Sequence, residues 1–174
     1  TSLDSFSKII GFDCGPGNIL MDAWCLRHLG KTYDENGQWA ATGQIIPDLL
    51  EKLLADDFFL RLPPKSTGRE LFNVTWLEKA LSGDEAPQDV QATLLQLTAM
   101  TIAQSIAEYC STAEEVYLCG GGAHNSVLLN RLTEMMPDKT VALTDQLGVA
   151  ADWVEAFALA WLAQQTLLRK AGNL

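Results

Sequence analysis

Glu-Val-Tyr-Leu-Cys-Gly-Gly-Gly-Ala-His-Asn, residues 115–125, decides the fold together with Lys-Thr-Val-Ala-Leu at 139–143. Residues 115–119 are a short apolar run whose length and Val/Tyr content suit a buried strand. Three glycines end that run, and His124 or Asn125 then opens a helix to about Met135. Residues 139–143 read as a further strand. Strands joined through one helix need a crossover, so 116–119 and 140–143 are expected to pair in parallel as a βαβ unit. The fold class is therefore α/β. In such sheets ligands lie at the carboxyl ends of strands, where glycines let a phosphate or nucleotide approach bare backbone beside a helix N-terminus.

The same succession is expected near the start of the chain. Residues 8–13 look like a strand, Cys14-Gly15-Pro16-Gly17 is a tight turn, and Asn18 can cap a helix to about Leu29. Residues 30–43 have no sustained period and read as a loop. Helix resumes over 46–55, where Pro47 suits a first turn and Leu49, Leu50, Leu53 and Leu54 form one apolar stripe. Residues 63–70, Pro-Pro-Lys-Ser-Thr-Gly-Arg-Glu, interrupt the pattern, and Asn73 can cap a short helix over 74–81. The longest periodic segment, 87–109, presents Val90, Leu94, Leu97, Met100 or Thr101, Ile102 and Ile106 on one broad face and reads as a core helix. A final helix runs from Asp152 to about Lys170, ended by Gly172-Asn173 as a glycine C-cap. There is no internal repeat or low-complexity tract.

Composition bounds the function. The 174 residues are 48% apolar and 20% charged, a composition that supports one ordinary hydrophobic core. Twelve Lys and Arg against 22 Asp and Glu give a net charge of −10 with no basic run, which argues against unaided binding to nucleic acid or an anionic membrane. Cys14, Cys25, Cys110 and Cys119 fit neither a Cys-x-x-Cys pair nor a zinc-ligand spacing and read as free thiols in a reducing cytoplasm. The strongly apolar stretch 157–163 is far short of the ~20 residues of a spanning helix. Residues 1–8 lack the pattern of a signal peptide, and the absence of an initiating Met points to a piece of something longer.

Common motifs fail one by one. Both glycine clusters miss the third glycine of Gly-x-Gly-x-x-Gly, and Gly30-Lys31-Thr32 follows a helix and has Cys25 where a phosphate loop needs its first glycine. Gly-x-Ser-x-Gly is absent, and neither His28 nor His124 has a carboxylate at motif spacing. What survives is Gly-Phe-Asp-Cys-Gly-Pro-Gly-Asn at 11–18. A carboxylate at the end of a strand beside free turn amides can act as a general base on an arriving substrate. It can equally cap its own turn by accepting those amides, as in an Asx turn. From the residues alone, Asp13 stands open between the two.

The stretches Gly-Phe-Asp-Cys-Gly-Pro-Gly-Asn-Ile-Leu-Met-Asp-Ala-Trp (11–24), Pro-Pro-Lys-Ser-Thr-Gly-Arg-Glu (63–70), Gly-Gly-Gly-Ala-His-Asn (120–125) and Asp-Trp-Val-Glu-Ala (152–156) resemble the anhydro-N-acetylmuramic acid kinase family, in the family's order and across nearly the whole chain. The resemblance implies a ribonuclease-H-like domain of the actin, sugar-kinase and heat-shock ATPase superfamily, with a mixed sheet flanked by helices. It implies that residues 1–174 are the C-terminal domain of a two-domain sugar kinase, without the N-terminal domain, its phosphate loop and a short C-terminal tail.

The implied reaction belongs to cell-wall recycling. ATP and water convert 1,6-anhydro-N-acetylmuramic acid to N-acetylmuramic acid 6-phosphate, with Mg²⁺ bridging the phosphates. Asp13 matches the family's catalytic aspartate and would take a proton from the attacking water. Gly120, Gly121, Gly122 and Asn125 match the nucleotide segment, although a strand-to-helix turn also uses glycine. Glu155, with Gly15 and Asn18, would contact the sugar; Asp152 and Glu155 also have the spacing of a capping-box-like pair. No residue is expected to be a metal ligand. Lys65, Ser66, Thr67 and Arg69 suit anion or sugar contacts as well as they suit a solvated connector. Trp24, Trp76, Trp153 and Trp161 are expected in the core, and Trp39 is a candidate for sugar stacking. Cys14 stands where the family more often has Thr. The expected partners are the missing N-terminal domain and a second copy in a homodimer, with the isolated chain inactive. The alternative is a catalytically incomplete nucleotide- or sugar-binding and dimerisation module.

Overall fold

Strands β1 (Glu115–Leu118) and β2 (Thr140–Leu143) pair in parallel, with Val116 opposite Val141 and Leu118 opposite Leu143, in a computed structural model that describes residues 1 and 9–172. The crossover is helix α6 (Ser126–Met135). Val116, Leu118 and Val141 lie toward the main core, to which α6 adds Leu128 and Leu132. The βαβ unit read from the sequence is thus present, and an α/β fold with a small parallel sheet is what the described residues show.

Helix α5 (Pro87–Tyr109) is the central support, contacted by α1 (Ile19–Leu29), α2 (Pro47–Leu54), α6 and the 3₁₀ turn Ala40–Thr42. Val90, Leu94 and Leu97 face the core, but Gln91, Thr93, Thr98 and Thr101 are buried as well. The three threonine hydroxyls bond backbone groups, as burial requires, while Gln91 Nε2 reaches the Asp34 carboxylate at 3.4 Å and its Oε1 has no partner among the described residues. Thr93 Oγ1 accepts the Ile46 amide at 3.0 Å, and Thr98 Oγ1 lies 2.9 Å from the Gly17 carbonyl that it bonds. Helices α3 (Asp57–Leu60) and α4 (Val74–Glu78) add Phe58, Trp76 and Leu77, around which Phe59 and Phe72 pack. Asn73 caps α4 by accepting the Trp76 amide, as expected from its position.

Several local expectations change. Residues 9–13 form no strand: Ile10 makes an isolated bridge, and the Asp13 amide bonds the Lys65 carbonyl in a loop rather than a ladder. Lys8 lies outside the described residues. Asn18 occupies the N-cap position of α1 in a helical conformation and makes no side-chain cap. The stretch 30–43 holds two 3₁₀ turns, Glu35–Gly37 and Ala40–Thr42, because the buried Asp34 carboxylate accepts the Trp39 and Ala40 amides at 2.9 Å.

The capping-box-like pair does not form. A 3₁₀ turn, Ala151–Trp153, precedes α7 (Val154–Leu167), and Asp152 turns away to His124. Helix α7 stops before Gly172: Arg169 takes the left-handed conformation (φ 51°), and the Lys170 and Arg169 amides close on Gln165 and Thr166 in a Schellman arrangement. Asn173 lies outside the described residues. Trp24 is buried, but Trp153 in the 3₁₀ turn and Trp161 on α7 are exposed, which contradicts their placement in the core. No described helix is long and apolar enough to cross a membrane.

Candidate active site

The turn after Asp13 rests on α5. A Cβ on Gly15 would lie 2.8 Å from Thr101 Oγ1, and Thr98, one turn earlier, bonds the Gly17 carbonyl. Glycine at 15 thus answers to close packing on the helix, whatever else the turn does. From this seat Asn18 reaches the second glycine cluster. A Cβ on Gly122 would stand 2.6 Å from Asn18 Oδ1, and one on Gly121 would be 3.7 Å from its Nδ2. The two glycine segments, remote in sequence, meet through this one carboxamide.

Gly120 has φ 75° and ψ −176°, a conformation open chiefly to glycine, and its amide is taken by the Ala151 carbonyl at 3.0 Å. Gly121 and Gly122 open the 3₁₀ turn Gly121–His124, whose first amides have no partner within the turn. Asn125 caps α6, its Oδ1 accepting the Leu128 amide at 3.0 Å. Glu155 stands at Gly120, where a Cβ would be 3.9 Å from Oε1, so its carboxylate faces the strand end instead of closing a helix cap.

Of these residues, Asn18, Gly121 and Asn125 line a cleft of about 420 Å³, to which Asp22, His124 and Asp152 also contribute. His124 Nε2 and Asp152 Oδ1 are 2.7 Å apart at its edge. That pair was invisible to motif spacing because it is formed through the fold. Partial burial raises the Asp22 carboxyl above the ordinary range, with Arg69 opposing and Asp34 adding to the shift. Trp39, the stacking candidate, packs instead against the core and lies near His28.

Asp13 lies in a different hollow, about 430 Å³, which it lines with Gly11, Phe12, Pro64, Lys65 and Ser66. Its Oδ2 accepts the Ser66 hydroxyl at 2.8 Å and the Thr67 amide at 2.9 Å. The donors come from the 63–70 loop, so the carboxylate is not closing an Asx turn on itself. Among the described residues Oδ1 accepts no hydrogen bond. The Cys14 thiol beside it is pushed up chiefly by burial and stays protonated at neutral pH. The loop side chains that sequence left open now divide. Lys65 Nζ bonds the Phe58 and Phe59 carbonyls at 3.2 and 3.3 Å and lies 4.9 Å from the Phe58 ring centre, so this cation is moored internally. The Thr67 hydroxyl is buried with no hydrogen-bond partner among the described residues.

A βαβ unit with glycines at a strand end, opening on a polar cleft, defines a ligand-binding domain of the α/β class. Comparison with known families matches residues 2–174 to anhydro-N-acetylmuramic acid kinase. The chain belongs to the anhydro-N-acetylmuramic acid kinase family. Proteins of that name from Nitrosomonas europaea and Nitrosospira multiformis are each 58% identical over 174 residues, all of this chain and 48% of the relative. One from Pseudomonas fluorescens is 54% identical over 167 residues, 95% of this chain and 46% of the relative. The chain thus spans about half the length of the curated relatives it matches.

Proposed function

We propose that this chain forms the C-terminal, ribonuclease-H-like half of an ATP-dependent kinase that converts 1,6-anhydro-N-acetylmuramic acid and water to N-acetylmuramic acid 6-phosphate and ADP in the cytoplasm. The supporting observation is the Asp13 carboxylate, held through Oδ2 and accepting no bond at Oδ1 among the described residues, in a chain that matches the family from residue 2 to 174. Water bonds to carbon 1 as the bond from carbon 1 to the 6-oxygen breaks. The 6-oxygen receives the γ-phosphoryl group, ADP leaves, and the proton lost by water goes to Asp13 Oδ1. Fixing one carboxylate oxygen and presenting the other favours a single approach for that water.

Gly121 and Gly122 offer bare backbone to the nucleotide, with Asn125 beside them, while Glu155, Gly15 and Asn18 contribute to the sugar side. Asn18 touches both glycine segments, so it is placed to couple occupancy of one to the geometry of the other. Among the described residues no three His, Cys, Asp or Glu side chains gather as a metal cage. Mg²⁺ would arrive on the phosphates of ATP, where it would neutralise their charge. The half of a family-length polypeptide that this chain does not span would supply the other wall of the site. The chain alone then binds ligand without turnover, and the working enzyme is a homodimer.

The test uses the family-length polypeptide that includes this chain, incubated with ATP and the anhydro sugar and assayed for the 6-phosphate. Product is expected, and Asp13→Asn should lower its rate by about 10²- to 10⁴-fold. Absence of product, or an undiminished rate in the variant, would overturn the reading.

A further inference from the structure

We propose that Ser66 is a positioning residue that sets the rotamer of Asp13, an assignment that rests on reading Asp13 as the base. An aspartate side chain turns about two bonds, so a carboxylate on an exposed turn samples several orientations unless something holds it. Here two donors converge on one oxygen. The Ser66 hydroxyl and the Thr67 amide both bond Oδ2, at 2.8 and 2.9 Å, and the Asp13 amide bonds the Lys65 carbonyl at 3.0 Å. The loop therefore grips Asp13 by backbone and side chain together. The loop is itself anchored, because the Lys65 ammonium binds the Phe58 and Phe59 carbonyls of α3. Of the two side-chain-oxygen donors, only the Ser66 hydroxyl can be removed by substitution.

A hydroxyl committed to Oδ2 spends its one proton there, so Ser66 acts through the carboxylate. Its effect should appear in turnover rather than in affinity for the sugar. The experiment measures kcat and KM for the anhydro sugar in the family-length enzyme, for Ser66→Ala and for the near-isosteric pair Ser66→Thr and Ser66→Val. Ser66→Ala should lower kcat about tenfold or more with KM within about twofold. Ser66→Thr should recover most of the loss and Ser66→Val should not, a comparison that holds even where the alanine variant folds poorly. In an Asp13→Asn background, Ser66→Ala should have no further effect.

Equal kcat for the Thr and Val variants would overturn the proposal while leaving Asp13 as base, provided Asp13→Asn shows its expected loss of rate. A raised KM at unchanged kcat would do the same, making Ser66 a sugar contact. An additive loss on top of Asp13→Asn would show that Ser66 works independently of the carboxylate. Full turnover by Asp13→Asn would remove the base, and the positioning role with it.

Discussion

A methyl group at position 43 would sit 2.0 Å from the Gln88 carbonyl oxygen and 2.9 Å from the Asp89 amide nitrogen. Both atoms belong to the backbone at the start of α5 and cannot rotate aside, so the loop or the helix must shift. Gly43→Ala should lower stability by about 2–3 kcal/mol, read as a fall in the denaturant midpoint. At this scale the sequence is informative where a side chain acts on its own neighbours. Asn73 and Asn125 cap the helices that follow them, as their positions foretell. It is silent where the partner lies across the fold. Nothing in the order of residues joins Asp13 to Ser66, Asp152 to His124, or Asn18 to Gly122, and each of these pairings shapes the candidate site. Asp34 was missed for the same reason, since a carboxylate in a stretch without period gives no sign that it is buried on two amides.

Among the elements, the turn that leads into α5 carries a pH signature. The Glu85 carboxylate accepts the Ser82 and Gly83 amides at 2.7 and 2.8 Å, and these and neighbouring hydrogen bonds pull its pKa from 4.5 to about 2. The folded value lies below the unfolded one, so the stabilisation is complete above about 4.5 and fades as pH falls toward about 2. Urea midpoints across that window should fall more steeply for the parent than for Glu85→Gln. Helix α5 and the βαβ unit were legible because their apolar periods are long or bounded by glycine. Residues 9–13 were not, since their alternation resembles a strand but they form only an isolated bridge at Ile10, and the Asp13 amide bonds the Lys65 carbonyl in a loop. Asp152 and Glu155 have capping-box spacing, yet the inserted 3₁₀ turn moves the cap position to Trp153.

Over the whole molecule, α7 stands apart. From Ala156 to Ala163 its sequence is unbroken by a polar residue, a pattern ordinarily found in buried helices, yet Phe157, Leu159 and, further on, Leu167 are 60%, 67% and 84% exposed. In isolation this chain should bind an apolar fluorescent dye. Phe157→Gln combined with Leu159→Gln should reduce that emission while leaving the melting temperature nearly unchanged, because neither side chain is packed. The core is gathered around α5, with no described α7 residue in it, and through Lys65 it reaches the candidate base. The ammonium that moors the 63–70 loop rests on the carbonyl and ring of Phe58, a side chain with no exposed surface. On the proposed reading, a bacterium carrying a smaller residue at 58 would be scored as having a defective catalytic centre, although the altered atom could never meet a substrate.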